Sequence, residues 1–303
     1  MNHSETRSIG LVGLGQMGLQ ICRRLTALGP LRAYDLSPDR RALAEAEPGV
    51  TVSKALGDLA SCSLIVLSLP SPSASKQVLR ELTPKLSQNT IVIETSTVLP
   101  ADVAELEKIA AESGAHVIDA AILSGVGQMR EGQATLLVGG GDAQVDAASD
   151  VLSALGPSGI RRFGALGSGM AAKVVNNGVA HAVMVVLVEA LALARSQGLS
   201  LHEVVEILGQ PDGGLLRPLT YRVRDRIATG NYVGGMPLDA AQKDSALALA
   251  MAQASGVPLF ATQAAHTVYE IGLASGLARN DYSAIATLWE KWARAAFEFG
   301  SEV

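Results

Sequence analysis

Cysteine is almost absent from this chain of 303 residues, in which only Cys22 and Cys62 occur. Two cysteines in apolar surroundings exclude a disulfide framework and are typical of a reducing compartment. The first ten residues, MNHSETRSIG, also lack the apolar run of a secretory signal peptide. We therefore expect a cytoplasmic protein.

Charge of either sign is sparse, since charged residues make up 17% of the chain and the net charge is −5. No basic stripe is present, which argues against a nucleic-acid partner. The densest basic group is Arg222, Arg224 and Arg226, and we interpret it as a solvated helix face rather than a phosphate site. The longest apolar stretch, 179–188, is interrupted by His181 and too short to cross a bilayer, so no membrane is expected.

Recognisable metal-ligand patterns are lacking as well. The five histidines show neither metal-ligand spacing nor an acidic partner at a fixed offset, so no metal site is predicted; they are His3, His116, His181, His202 and His266. What the chain does have is a hydrophobic content of 48%, which is typical of a compact globular protein. Its length allows one large domain or two ordinary ones.

Short apolar runs alternate with segments of helical composition in the first half. The runs are SIGLVG (8–13), LRAYD (31–35), SLIVLSL (63–69), TIVIET (90–95), HVIDA (116–120) and TLLVGG (135–140). Helical segments at 17–28, 73–82 and 101–113 lie between most of them. This alternation predicts an α/β fold with a doubly wound, mainly parallel sheet.

Long segments rich in Ala, Leu and Val, with few strand signals, make up the second half. The pattern predicts a long helix at 170–197 ended by Gly198. Further helices are expected at 201–209, 216–228, 238–254, 258–275 and 281–297. We therefore predict a dinucleotide-binding Rossmann domain over 1–164 and an all-helical substrate and dimerisation domain over 165–303, joined by the long helix.

A glycine-rich loop, Gly13-Leu14-Gly15-Gln16-Met17-Gly18, follows the first predicted strand and opens the first predicted helix. In such a loop the first glycine makes the tight turn, the second lets a pyrophosphate approach, and the third allows close helix–strand packing. The helix amino terminus adds free N–H groups for the phosphates. All six loop residues are therefore predicted to bind a dinucleotide.

Asp35 closes the second predicted strand, 20 residues after Gly15. A carboxylate there can accept hydrogen bonds from the adenosine ribose hydroxyls. It would also repel a 2′-phosphate, and Leu36 follows it rather than a cation. NAD is therefore the predicted cofactor, while NADP stays open because arginines lie nearby in sequence. An alternative interpretation is that Asp35 is a turn residue that caps the next helix.

A lysine and two asparagines interrupt the small, apolar segment GSGMAAKVVNN at 167–177. On a helix, Lys173 and Asn177 share a face, and Asn176 lies beside them. Residue types alone leave an exposed first helical turn and a catalytic site equally open. A lysine near a nicotinamide can stabilise alkoxide character and accept the alcohol proton as hydride leaves. The dinucleotide motif therefore favours the site.

Six segments carry a family resemblance that covers nearly the whole chain. They are GLVGLGQMG (10–18), SLP (68–70), ETSTVLP (94–100), GSGMAAKVVNN (167–177), QKD (242–244) and NDYSA (280–284). Together they resemble the β-hydroxyacid dehydrogenase family, which includes 3-hydroxyisobutyrate dehydrogenase, tartronate semialdehyde reductase and the glyoxylate/succinic semialdehyde reductases.

The resemblance implies a role for each matching residue. Lys173 would be the catalytic acid/base and Asn177 its catalytic helper, with Asn176 beside the substrate. The remaining cofactor contacts implied are Leu69, Pro70, Thr97 and Lys243, and the remaining substrate contacts are Ser96 and Asp244. Simpler roles stay open, because Ser96 and Thr97 could cap the following helix and Lys243 and Asp244 could be a solvated pair.

Two departures from the family pattern fall where substrates are chosen. The family's substrate loop, Asp-Ala-Pro-Val-Ser-Gly-Gly, holds a carboxylate with a serine hydroxyl and backbone amides, whereas this chain reads DAAILSG at 119–125. Leu123 therefore stands at the serine position, while backbone N–H groups of Ser124 and Gly125 stay available for an anion. Met236 stands where the reductase branch has phenylalanine. Both changes predict a substrate pocket altered in size and polarity.

These observations predict an NAD(P)-dependent enzyme that transfers hydride between a small 3-hydroxy carboxylate and the cofactor. The resemblance and the apolar helical half also imply a homodimer or homotetramer. One alternative is an imine reductase of similar architecture, although such enzymes usually carry Asp or Tyr at the position of Lys173. Another is a dinucleotide-binding sensor without catalysis, against which Lys173 and Asn177 argue.

Overall fold

A computed structural model describes residues 8–299. His3 and most of the segment examined for a signal peptide lie outside these residues. The chain divides into two compact units, Met1–Gly178 and Val179–Val303.

A mainly parallel sheet forms the centre of the first unit. Its strands within the described residues are β1 (Ile9–Val12), β2 (Leu31–Tyr34), β3 (Val50–Val52), β4 (Leu64–Leu67), β5 (Ile91–Glu94), β6 (His116–Leu123), β7 (Thr135–Gly139) and β8 (Gly159–Gly164). They lie in the order β3-β2-β1-β4-β5-β6-β7-β8. Every neighbouring pair is parallel except β6 and β7. The predicted doubly wound α/β fold is confirmed.

The central strands form because their apolar runs are covered on both faces. Every residue of β1, β4 and β5 is buried, as is typical of parallel strands with helices on both sides. Two separate apolar clusters, one containing Leu11 and Val66 and the other Ile65 and Val92, provide this covering. Residues that alternate along a strand thus belong to different clusters.

The sequence patterns found six of the strands and missed β3 and β8. β8 has the sequence GIRRFG and is exposed over nearly its whole length, so it has no apolar run that a pattern can detect. Its place in the sheet depends on parallel pairing with β7. β3 has only three residues at the opposite edge.

Helices of the first unit connect the strands. They are α1 (Gln16–Leu25), α2 (Pro38–Glu45), α3 (Pro72–Leu82), α4 (Pro100–Ala111), α5 (Val126–Arg130), α6 (Asp142–Ala147) and α7 (Ser149–Leu155). The three helices predicted explicitly in this half correspond to α1 with its 3₁₀ extension, α3 and α4. Proline at the first position of α2, α3 and α4 fixes where each begins.

A long helix, α8 (Ser168–Ser196), follows β8, and the boundary between the two units falls within it. It ends before Gly198, which adopts a positive φ of 71°, as predicted from the sequence. By length and composition alone, this one helix of the described chain could cross a membrane, with 11% of its most apolar window buried. The sequence pattern had considered only 179–188 and so underestimated the apolar length.

The second unit is helical, as predicted. Its helices after α8 are α9 (Leu201–Gly209), a π-helix (Pro218–Ile227), α10 (Leu238–Ala254), α11 (Phe260–Ala274) and α12 (Ala286–Ala293), the last preceded by a 3₁₀ turn (Tyr282–Ile285). α9 and α10 match the predicted limits, whereas 216–228 was expected to be an ordinary helix. There Ala228 donates its N–H to the carbonyl of Val223, five residues back, and π-helices are rare and frequently functional.

Candidate functional site

Three glycines give the loop between β1 and α1 the shape predicted for a dinucleotide site. Gly13 has a φ of 96°, and a β-carbon there would collide with the carbonyl oxygen of Ser68. A β-carbon on Gly18 would collide with the carbonyl of Gly13, whereas one on Gly15 would meet nothing within 4 Å. The backbone at Gly15 is therefore open to an approaching group, and the residues present fit a bound pyrophosphate.

The other loop residues have different surroundings. The side chain of Leu14 is fully buried and its N–H donates to Oδ2 of Asp35 at 2.7 Å. Leu14 thus shapes the loop from within and has no free amide for a phosphate. Gln16 and Met17 begin α1, and the Gln16 side chain is exposed. Their N–H groups belong to the unsatisfied first turn of a helix, which favours anions.

Asp35 makes two local hydrogen bonds. In addition to the Leu14 bond, its Oδ1 accepts the N–H of Ser37 at 2.8 Å. Ser37 is the residue that caps α2, because its Oγ accepts the N–H of Arg40. Asp35 therefore joins the glycine loop to the turn before α2, and the alternative of a direct helix cap is wrong in detail. Its oxygens keep further lone pairs for ribose hydroxyls.

The ends of β4 and β5 are joined by a hydrogen bond between two predicted site segments. Ser96 Oγ accepts the N–H of Leu69 at 2.8 Å, and Ser96 is nearly fully buried. Thr97 and Pro70 are exposed beside them. The residue that caps α4 is Leu99, whose N–H donates to Asp102 at 3.1 Å. The alternative that Ser96 or Thr97 caps α4 is therefore wrong.

Glu94 is a buried carboxylate that the sequence patterns did not single out. Its side chain is completely buried at the end of β5, and Oε1 accepts the N–H of Ser96 at 2.8 Å. Oε2 has no hydrogen-bond partner within residues 8–299. Burial raises the pKa of Glu94, and the hydrogen bonds around it act in the opposite direction. Glu94 thus fixes the turn that presents Ser96 and Thr97.

Lys173 lies in the second turn of α8 and is half-buried. Burial lowers its pKa from the ordinary value of 10.5, and no charged partner counteracts this within the described chain. A lysine of this kind exchanges a proton nearer to neutral pH than an exposed lysine does. The geometry therefore favours the catalytic interpretation over that of a fully exposed first turn.

Asp119 determines where α8 begins, and it was not named as a site residue. This completely buried side chain lies on β6, and its two oxygens accept the N–H groups of Gly167 at 2.6 Å and Met170 at 2.7 Å. A β-carbon on Gly139 or Gly169 would crowd the carboxylate. Lys173 follows Met170 by less than one turn. The available sequence signal was an acidic residue inside an otherwise apolar strand.

The two asparagines differ in exposure. Asn177 is half-buried like Lys173, whereas Asn176 is exposed. Asn176 Nδ2 lies 3.4 Å from Oδ1 of Asn177, so this amide pair forms a weak contact along the helix. Because Lys173 and Asn177 are four residues apart on one helix, they share its face.

In the predicted anion-binding loop at the end of β6, one backbone amide already has a hydrogen-bond partner. The N–H of Gly125 donates to Oε1 of Gln128 at 2.9 Å, which satisfies one of the two amides expected to bind a carboxylate. The Ser124 hydroxyl oxygen is buried and has no partner within residues 8–299. Leu123 is half-buried and supplies no polar group. The idea that both amides are free is therefore wrong for Gly125.

Lys243 and Asp244 lie on α10 in the second unit. Their side chains form an ion pair at 2.9 Å and are 65% and 52% exposed. Within this unit they are thus a solvated pair, which is the simpler of the two interpretations of the sequence. Their proposed contacts with cofactor and substrate stay predictions.

Two hydrogen bonds of its backbone fix the position of Met236. Its N–H donates to Oδ2 of Asp281 at 3.2 Å, and its carbonyl accepts the N–H of Tyr282 at 2.9 Å. The Met236 side chain is half-buried. The NDYSA segment therefore positions the residue that departs from the reductase pattern, a connection that sequence spacing alone does not indicate.

Metal ligands do not cluster in the described residues: between positions 8 and 299, no group of three or more His, Cys, Asp or Glu side chains could hold an ion.

Comparison with known proteins agrees with this architecture. A model described as the NAD binding domain of 6-phosphogluconate dehydrogenase matches residues 8–164. A second, described as NAD-binding of NADP-dependent 3-hydroxyisobutyrate dehydrogenase, matches residues 167–289. The two models together define a nicotinamide-dinucleotide-dependent oxidoreductase, of a class that uses NAD or NADP.

Curated relatives match over nearly the whole length. The chain is 31% identical to 2-(hydroxymethyl)glutarate dehydrogenase of Eubacterium barkeri, over 93% of this chain and 95% of that one. It is 32% identical to the mitochondrial 3-hydroxyisobutyrate dehydrogenase of Drosophila melanogaster, over 94% and 90% respectively. The chain belongs to the β-hydroxyacid dehydrogenase family, as its sequence motifs predicted.

Solved structures show the same fold. The Mycobacterium tuberculosis 3-hydroxyisobutyrate dehydrogenase with L-serine matches with a TM-score of 0.65 at 26% identity, over 93% of this chain and 99% of that one. An imine reductase from Pseudomonas sp. matches with a TM-score of 0.83 at 20% identity, over the same shares. At that identity the second likeness shows the fold alone.

Proposed function

We propose that this protein is an NAD-preferring dehydrogenase that acts on a small 3-hydroxy carboxylate. The observation that carries the proposal is Lys173, a half-buried lysine with a lowered pKa and no charged partner in the described chain. It lies on a helix whose start is fixed to the strand ends by Asp119. The curated relatives, which are dehydrogenases named for hydroxy acids, support the same reaction class.

Lys173 is the group that moves the proton. Its neutral amine takes the hydroxyl proton as the carbon–hydrogen bond breaks, and the ammonium returns the proton in the reverse reduction. When bound, the nicotinamide accepts the hydride. The ammonium also stabilises negative charge on the oxygen, so one side chain serves both directions. The product of oxidation is a semialdehyde or a keto acid.

The preference for NAD is proposed from the position of Asp35. Its carboxylate lies at the end of β2 and is fixed by hydrogen bonds to Leu14 and Ser37. A 2′-phosphate placed against a fixed carboxylate meets like-charge repulsion, whereas ribose hydroxyls can donate to it. The nearby guanidinium of Arg41 donates to the carbonyls of Asp35 and Leu36, so it is already engaged.

The experiment that tests the proposal is the initial rate of NAD reduction with a panel of hydroxy acids, measured for the wild type and Lys173→Ala. The panel contains 3-hydroxyisobutyrate, glycerate, 4-hydroxybutyrate, threonate and serine. Lys54→Ala, which changes an exposed lysine, is the matched control. We expect turnover of one acid, a loss of about 100-fold or more in Lys173→Ala, and no loss in the control. Full activity in Lys173→Ala would refute its role.

The same assay distinguishes the alternatives. Turnover of a cyclic imine without turnover of any hydroxy acid would identify an imine reductase, for which the structural likeness gives only the fold. Tight NAD binding without turnover of either class would identify a sensor. Lys173 and the family membership both favour the hydroxy acid.

We also propose that the protein is a homodimer or homotetramer in the cytoplasm. The helix α8 exposes a row of large apolar side chains, among them Val175 (68% exposed), Val179 (60%) and Val186 (46%). Such a row is typical of an interface between subunits. Light scattering of the wild type and of Val179→Glu tests this, and co-sedimentation with lipid vesicles tests whether a membrane covers the row instead. Free, buried cysteines support the reducing location.

A further inference from the structure

Two buried carboxyl groups lie on neighbouring central strands of the first unit. Glu94 on β5 and Asp119 on β6 are register partners, and paired residues of parallel strands point to the same face of a sheet. The residues two positions before them, Val92 and Val117, belong to one apolar cluster, which agrees with a shared face. Neither acidic side chain is exposed, so the two groups meet under the same apolar cover.

The two carboxyl groups differ in the number of donors that they meet. Each oxygen of Asp119 accepts a backbone N–H, from Gly167 at 2.6 Å and from Met170 at 2.7 Å. In Glu94, Oε1 accepts the N–H of Ser96 at 2.8 Å, whereas Oε2 is buried without a hydrogen-bond partner among residues 8–299. Donors stabilise the ionised form of a carboxyl group. The surroundings of Asp119 therefore favour a negative charge more than those of Glu94 do.

A proton is accommodated more easily on Glu94 than on Asp119. Burial raises the pKa of both groups, and two carboxylates that share a site disfavour each other's ionisation. A protonated carboxyl oxygen needs one acceptor, whereas an ionised one needs donors. Glu94 has the oxygen without a donor, so it is the group of the pair that is suited to hold a proton.

An acceptor for this proton lies on α3. The Oγ of Ser75 is buried and has no hydrogen-bond partner in the described part of the chain, although it lies near enough to lower the pKa of Glu94. Buried polar atoms without a hydrogen bond are uncommon in native proteins. A proton on Oε2 of Glu94 that is donated to Oγ of Ser75 gives both oxygens a partner.

Charged side chains of the helices on this face pair with one another. Lys76 of α3 lies 2.8 Å from Asp102 and 2.6 Å from Glu105 of α4, and all three reach solvent. The largest influences on the pKa of Glu94 are instead burial and the hydrogen bonds around it. At the start of α8 the ionisable side chain is Lys173, and a test of Glu94 therefore has to separate the two.

The position of Glu94 relates it to one half of the dinucleotide site. The strand order reverses between β1 and β4, and a dinucleotide lies across the carboxyl ends of the strands at such a point. The glycine loop after β1 and Asp35 after β2 fit the pyrophosphate and the adenosine ribose, which leaves the ends of β4 and β5 to the nicotinamide. Glu94 ends β5, and Ser96 joins it to the N–H of Leu69 after β4.

The charge of the nicotinamide ring differs between the two forms of the cofactor. The oxidised ring carries a positive charge, and the reduced ring is neutral. A positive charge nearby favours the ionised form of a carboxyl group, whereas a neutral ring does not. We propose that Glu94 holds a proton in the protein without cofactor and releases it to solvent when the oxidised nicotinamide binds, so that its carboxylate favours the oxidised over the reduced cofactor.

Linkage gives the proposal a pH dependence of known sign. If binding of NAD⁺ releases a proton from Glu94, the affinity for NAD⁺ rises with pH until Glu94 is ionised in the free protein as well. The affinity for NADH has no such dependence on Glu94. The proposal depends only on the class of cofactor, so it holds even if no hydroxy acid is turned over.

Calorimetric titration in buffers of different ionisation enthalpy counts the protons released per bound NAD⁺ or NADH, from about pH 5 to about pH 9. All proteins carry Lys173→Ala, because that amine would also lose a proton beside a cation. Glu94→Gln imitates the protonated acid, since its amide can accept the N–H of Ser96 and donate to Ser75. Glu112→Gln, which changes an exposed glutamate at the end of α4, is the matched control.

With NAD⁺, we expect Lys173→Ala and its Glu112→Gln control to release about 0.5 proton or more at the pH of greatest release, which is what a tenfold effect on affinity produces. With Glu94→Gln, we expect no release. At the alkaline end, the ratio of the NADH to the NAD⁺ dissociation constant should be about tenfold lower in Glu94→Gln than in the control.

Three results would overturn the proposal. One is that NAD⁺ releases no proton from Lys173→Ala over the whole pH range. Another is that NADH releases as many protons as NAD⁺ does. The third is that the release persists in Glu94→Gln. If Glu94→Gln does not fold, Ser75→Ala decides: it removes a hydroxyl that lowers the pKa of Glu94, so the pH of greatest release should rise, and an unchanged pH would count against Glu94.

Discussion

Asp119 connects the stability of the first unit with the position of Lys173, the proposed catalytic residue, and Asp119→Asn removes its charge while keeping its size. The carboxylate accepts two short hydrogen bonds, from the N–H groups of Gly167 and Met170, and it is completely buried. An asparagine amide has the same size but only one oxygen. Its NH₂ group would face one of the two N–H donors.

The size of the effect follows from these two bonds. A hydrogen bond to a charged group contributes about 1.5–3 kcal/mol, a neutral one about 1 kcal/mol, and a buried donor left unsatisfied costs about 1–3 kcal/mol. Keeping one neutral bond and losing the other predicts that the free energy of unfolding falls by about 3 kcal/mol. This is the lower end of the sum, because the neutral amide also avoids the cost of burying a charge, which raises the pKa of Asp119. Because Lys173 follows Met170 by less than one turn, we also expect kcat to fall by about 10- to 100-fold.

Hydrogen exchange at the start of α8 is the decisive assay. Tryptophan fluorescence does not report on this site, since Trp289 and Trp292 both lie in the second unit. We expect faster amide exchange at Gly167 and Met170 in Asp119→Asn. In the control, Asp58→Asn, an exposed carboxylate loses its bond to the N–H of Ala55, and we expect a change below about 1 kcal/mol. Unchanged exchange at Gly167 and Met170, or an unchanged kcat, would refute the reasoning.

Three further predictions concern single side chains. Burial lowers the pKa of Lys173, so between that lowered pKa and the ordinary value of 10.5 the unfolded chain binds more protons than the folded one. The stability of the wild type should therefore rise with pH in that range relative to Lys173→Met, as measured by urea unfolding. The kcat/KM for oxidation should rise with pH through the same lowered pKa, and a midpoint at or above 10.5 would contradict this. For Glu94, burial raises the pKa, so its stabilising contribution is complete below the ordinary value of 4.5 and is lost as pH rises. Glu94→Gln should therefore be more stable than the wild type at neutral pH and lose that advantage in acid, and a constant difference would refute it. Asp35→Ser should raise kcat/KM with NADP relative to NAD by about tenfold or more, and an unchanged ratio of the two would count against Asp35 as the discriminating group.

Much of the fold could be predicted from the sequence, because the patterns that mark its strands and helix ends lie within short segments. Continuous apolar runs predicted the buried central strands, and Gly198 ended the long helix where a positive φ is needed. The edge strand β8 was missed because two arginines separate its apolar residues, Ile160 and Phe163, and nearly all of it is exposed, so that only pairing with β7 makes it a strand. The π-helix was read as an ordinary helix, since residue preferences do not distinguish bonds that reach back five residues.

The candidate site could be predicted from the sequence only where its residues follow a fixed spacing. Lys173 and Asn177 share a face because any α-helix places residues four apart on one side. Glu94 and Asp119 were not found, because each acts on a segment fixed by long-range contacts. Asp119, for example, bonds to N–H groups 48 and 51 residues away.

By itself, the sequence determined the family and the dinucleotide loop and led to the prediction for Lys173, because these depend on residue type and on distances along one loop or one helix. The tertiary structure decided which polar groups are already used. It placed Asp119 against the N–H groups of Gly167 and Met170 and buried Arg222 beside Asp281 with its Nε lacking a hydrogen-bond partner among the described residues. A hydrogen bond satisfies a group only when distant segments are brought within about 3 Å, and that distance is a property of the folded chain.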